Sequence, residues 1–162
     1  MKSQIISPIS ELPDEINETS GLIFLENKII THNDSGYDPI LYETDSINGQ
    51  ITRKVVIENA INTDWEDICY DDEYIYIGDF GNNYGNRTDL KVYKIARSEY
   101  FNYDTVTATV IEFSYKEQID YSNQLFETNF DAESIVSIDD SLYIFSKKYG
   151  NFKSYIYSLS KT

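Results

Sequence analysis

The chain has 162 residues, 41% hydrophobic and 25% charged, with an aromatic share of 15% dominated by fifteen tyrosines. That is one domain's length, with apolar content enough for a core and too little proline and glycine for disorder. A net charge of −15 excludes nucleic acid and anionic membrane surfaces as partners, no apolar run approaches a membrane span, and a single cysteine, Cys69, excludes a disulfide framework or zinc cluster.

The first segment, "MKSQIISPISELPDEINETS", carries no long apolar stretch of the signal-peptide kind, and its residues 4–9, "QIISPI", read as an isolated strand. A first unit follows over about 18–59. Its strands are "SGLIFLE", "KIITHND", "PILYETD" and, after the turn "SINGQ", the charge-bearing "TRKVVIEN". The second unit, about 63–115, repeats the plan: "DICY", a "DDE" turn, "YIYIGD", the loop "FGNNYGNRT", "DLKVYKIA", a polar link and "ATVIEFSY". The third, about 130–160, holds "ESIVSI", "SLYIFSK" and "SYIYSLS". Leu22, Ile68 and Ile135 share one place in the three units; Ile29, Ile75 and Leu142 share another; Asn33, Asp79 and Ser146 a third. No stretch shows a 3.6-residue apolar period of helix length, and tyrosine with β-branched residues suits strands.

Four-stranded units recurring at this spacing are the pattern of β-propeller blades, here about three of them in a single domain over 1–162 that makes up part of a ring. A β-sandwich is the alternative; it accounts for the strand count but not for motifs that recur together. In an antiparallel blade the loop entering the first strand and the loop leaving the second lie at one end. "TDWEDI" and "GDFGNNYGNR" are therefore expected to meet, with "NETSG", "THNDSG", "NFDAES" and "SKKYGN" beside them.

The motifs "ETSGL", "THNDSG", "NTDWEDI" and "IGDFGNNYGNRTDLKVYKI" resemble a bacterial (Bacteroidetes-type) family of secreted or envelope β-propellers. The resemblance implies export or an envelope location, although a cytoplasmic one stays open without a leader. It also implies a distant likeness to calcium-dependent phytase-like and lactonase-like propellers, in which carboxylates and asparagines at the channel hold a divalent metal. The third unit departs from the pattern, with Ser146, Lys147 and Lys148 where the others carry acids and amides.

Carboxylate and amide oxygens are hard ligands suited to Ca²⁺, and the candidate metal set is Asn33, Glu66, Asp79 and Glu133. The competing reading is that they cap turns. Trp65, Asp67, Asn82, Asn83 and Arg87 are the candidates for holding a small polar molecule or a protein partner. For Trp65 packing competes with that role, and for Arg87 pairing with Asp64, Asp67 or Asp89. His32, the single histidine, is the one candidate general base. The "DFG" at 79–81 has no phosphate loop or helical lobe around it, so a kinase is rejected. Three function classes follow: a binding module, a metal-dependent phosphoesterase or lactonase, and a structural or interaction domain. A half-ring would also leave faces open, to self-association as a homodimer or to the missing remainder of the propeller.

Overall fold

The computed structural model describes residues 3–122, 125–149 and 152–162, so Gly150 and Asn151 of the third unit's loop lie outside the described residues. The fold is all-β. The first sheet orders β1 (Thr19–Leu25), β2 (Lys28–Asn33), β3 (Ile40–Thr44) and β4 (Ile51–Ile57) as an antiparallel meander. The second has β5 (Trp65–Tyr70), β6 (Tyr74–Asp79), β7 (Lys91–Ala96) and β9 (Thr109–Glu112), and the third β10 (Asp131–Ile138), β11 (Ser141–Lys148) and β12 (Lys153–Ser160). None of the three sheets closes on itself.

Local chemistry accounts for the hairpins. The β1–β2 loop is the pair Glu26–Asn27, both at positive φ, which matches the right-handed twist of the strands. Between β5 and β6, Asp71 Oδ1 accepts from the Glu73 and Tyr74 amides and closes the turn.

Two apolar layers separate the sheets. Ile23 and Ile30 of the first sheet share a core with Ile68, Ile75 and Ile77 of the second. The second sheet's other face, Cys69, Tyr76 and Val92, packs with Ile135, Leu142 and Ile144 of the third. Near-complete burial of β6, between the two layers, explains why it reads as a continuous apolar run. The first strands of the three sheets, β1, β5 and β10, lie side by side, with β5 in the centre.

Four expectations are corrected. Residues 4–9 form no strand: Pro8 lacks a donor, and Ile5, Ile6 and Ile9 are exposed. The polar link after β7 contains a short helix, α1 (Arg97–Asn102), whose Tyr100 is buried; six residues are too few for a helical period to register. The chain then places β8 (Thr105–Val106) parallel to β4, so the first sheet has five strands and not four. The fourth strand of the second sheet is shortened to β9, four residues long.

Candidate metal centre

The ladder brings the strand ends together as antiparallel geometry requires. Thr19 pairs with Asn33, Trp65 with Asp79, and Ala132 with Ser146. Immediately inside each pair the register slips: between Thr19 and Leu22, between Trp65 and Asp67, and between Ala132 and Ser134. In the second and third sheets the extra residues are Glu66 and Glu133. A bulge bends its strand and re-aims a side chain, and here it acts on the two glutamates that stand at matching positions. Neighbouring strands are tied at the same level: Ser20 Oγ donates to the Glu66 carbonyl at 2.6 Å, and Asp67 Oδ2 accepts from the Ile135 amide at 2.8 Å.

Five carboxylates gather at this end. Oxygens of Asp34, Asp64 and Glu66 lie within 4.8 Å of one another, and so do those of Glu66, Asp131 and Glu133. Glu66 belongs to both groups. The loop after β6 forms the floor. A Cβ on Gly81 would collide with Asp64 Oδ2 and Glu66 Oε1, so only glycine lets the backbone approach both carboxylates. The Gly81 amide donates to the Asp64 carbonyl at 3.2 Å, and the Asn82 amide to Asp131 Oδ1 at 2.7 Å.

Burial and mutual repulsion raise the cluster's proton affinity. Burial, with Glu133 and Asp64 close by, pushes Glu66 up to about 9. Burial and the neighbouring Asp34 push Asp64 up to about 6, with Arg87 pulling the other way. Burial raises Asp131 as well, against the hydrogen bond from Asn82. Lys147 supplies compensation on one side only: it is ion-paired with Glu133 and stands 4.0 Å from Asp131.

The sequence candidates separate into distinct places. Glu66 and Glu133 are in the cluster. Asp79 belongs to neither carboxylate group: wholly buried, it pairs with Arg87 at 2.9 Å and accepts from the Asp64 amide at 3.0 Å. Burial pushes its carboxyl up and Arg87 pulls it back. Asn33 directs its amide nitrogen to the Glu15 carbonyl at 2.9 Å and so pins the N-terminal segment. Asp67 spans the second and third sheets. Asn82 crosslinks its own loop, donating to the Phe130 carbonyl and accepting from the Arg87 amide. Asn83 is half-buried, and its carbonyl accepts from Phe126. Arg87 also reaches Asp89 and the Gly81 carbonyl, so it buttresses the floor of the cluster.

Trp65 is 0% exposed, edge-on to His32 with ring centroids 5.5 Å apart; it packs the core and offers no face to a ligand. His32 is equally buried. Its Nδ1 bonds the Asn33 carbonyl at 2.9 Å, and burial lowers its pKa, so the ring is neutral and out of reach of a bound molecule.

Asp34, Asp64 and Asp131 were not among the sequence candidates. The signal for two of them is present in the chain: Asp64-Trp65-Glu66 and Asp131-Ala132-Glu133 both place an aspartate two residues before the bulged glutamate. Asp34 carries no such pattern and enters through the hairpin geometry. No family model matches the chain, and no curated protein does.

Proposed function

We propose that the chain is a binding module, built as three blades of a propeller-type ring, whose carboxylate face takes a divalent cation of the calcium class. One observation carries this reading: Glu66 is shared by two carboxylate groups against a glycine floor that leaves no room for any side chain. Oxygens on opposite sides of one Ca²⁺ stand about 4.6–5.2 Å apart, from ligand distances of about 2.3–2.6 Å. A set lying within 4.8 Å fits around a single ion. The group Asp34, Asp64 and Glu66 is the better seat, because Lys147 already serves Glu133 and Asp131. The donors are all carboxylate oxygens, which favours Ca²⁺ or Mg²⁺ over zinc or copper.

In support of the blade reading, the three hairpins share one register and one bulge position, and their inner strands are neighbours. With the ion in place, the face would present a positive centre within an acidic rim and recognise polar or anionic groups of a ligand.

The ion is expected to bind the folded state alone and to raise the melting temperature. Calcium at about 100 times its dissociation constant should add about 2.7 kcal/mol, or roughly 5–10 °C for a chain of this size. Glu66→Gln and Asp64→Asn should each remove most of that rise. Identical melting curves in millimolar calcium and in chelator would end the proposal.

A further inference from the structure

The three sheets pack by one repeated relation, and that relation leaves two matching faces with no sheet against them. The first sheet covers the second with Ile23 and Ile30, which meet Ile68 and Ile75. The second covers the third with the corresponding residues, Cys69 and Tyr76, which meet Ile135 and Leu142. Each sheet therefore has a donor face and an acceptor face, stacked head to tail.

The residues of the first sheet that correspond to the acceptor Ile68 and Ile75 are Leu22 and Ile29. Leu22 is 59% exposed, as is Phe24 two residues on, and Leu22 and Ile29 border an apolar groove of about 210 Å³ whose other wall is Ile9 and Leu12 of the N-terminal segment. The residue of the third sheet that corresponds to the donor Cys69 is Val136, 38% exposed. Across its strand pairings lie Tyr143 and Ser158; two residues along on the same face Phe145 pairs with Ile156, the latter 62% exposed, whereas the counterpart of Ile156 in the second sheet, Val92, is wholly buried. Large apolar side chains in register on an open sheet face mark an interaction surface.

We infer that these two faces are halves of one interface, and that a second copy of this chain joins them. The partner is named by continuity: a third sheet meeting a first sheet repeats the contact made twice inside the chain. Two copies make that contact twice and close a two-fold assembly of six sheets, a number within the range at which propeller rings close. The inference stands on apolar packing and is independent of whether the carboxylate face holds a cation.

Sedimentation velocity tests it with charge-blocked variants. The acceptor-blocked chain carries Leu22→Lys and Phe24→Lys; the donor-blocked chain carries Val136→Glu and Ile156→Glu. Wild type should sediment as a closed dimer, twice the 18.8 kDa chain, with no larger species. Each blocked variant alone should be monomeric, its association at least about 100-fold weaker. Mixed in equal amounts they should recover the dimer, because one contact is then native and the other pairs lysine with glutamate.

All four positions are exposed, so folding should survive, as far-UV and near-UV circular dichroism will show. The single substitutions Leu22→Lys and Val136→Glu serve if a double variant loses its fold. A wild-type chain that stays monomeric at about 100 µM, as it would if another protein covered these faces, overturns the inference. A blocked variant that dimerises by itself overturns it too, since that contact would join like faces.

Discussion

Arg87→Ala is expected to destabilise the chain by about 3–5 kcal/mol, seen as a fall in melting temperature of roughly 6–20 °C. The reason is Asp79, whose side chain is 0% exposed and whose ion pair with Arg87 spans 2.9 Å. Removing the guanidinium leaves a buried carboxylate with only the Asp64 amide on Oδ1, and Oδ2 already has no hydrogen-bond partner. Three results together identify this mechanism. Asp89→Ala, which removes an ion pair to a half-exposed carboxylate, should cost about 1 kcal/mol or less. Asp79→Asn in the Arg87→Ala background should recover much of the loss, since an amide keeps the Oδ1 acceptor without the charge. The deficit should also shrink in acid, where Asp79 takes a proton. Equal losses for Arg87→Ala and Asp89→Ala would show that the buried pair has no special weight.

The second large effect is a dependence of stability on pH that runs opposite to ordinary acid denaturation. Glu66 and Asp64 both hold protons more tightly in the folded chain than a free carboxyl does. In that interval the folded state binds more protons than the unfolded state, so stability falls as pH rises. For Asp64 the loss runs from its ordinary value of 3.8 to about 6, and for Glu66 from 4.5 to about 9. In chelator, the melting temperature should therefore decline between pH 5 and 9. Glu66→Gln should flatten the upper part of that decline and melt roughly 3–5 °C above wild type at pH 8.5, a figure reduced for the solvent that reaches a half-buried cluster. Calcium should flatten it as well, by replacing the proton as the counter-charge. A melting temperature that climbs from pH 5 to 9 in chelator would contradict the crowding of these carboxylates.

The strands were legible in the sequence because their apolar and aromatic runs mark buried positions, most fully in β6, which is covered on both faces. The meeting of Trp65 and Asp79 at one end followed from antiparallel pairing alone. The bulges were not legible: a register slip depends on how the ladder resumes, and no residue type marks it. Gly81 was visible as part of a turn, yet its role is to leave space for the carboxylates of Asp64 and Glu66, which the fold brings over it from fifteen or more residues earlier in the chain. Asp79 and Asn33 matched the ligand pattern by position but point to partners that are distant in sequence, Arg87 and Glu15. β8 is two residues long, below what alternation detects, and its parallel pairing with β4 depends on where α1 delivers the chain.

Calorimetric titration of calcium at pH 7, run in two buffers of different ionisation heat, tests the central claim most directly. One ion per chain should bind with the release of about one proton, because Glu66 is protonated beforehand and must ionise to ligate. Glu66→Gln should abolish both the binding heat and the proton release, while Asp89→Ala leaves them unchanged. An absence of binding heat in the wild-type chain, or binding undiminished in Glu66→Gln, would contradict the account.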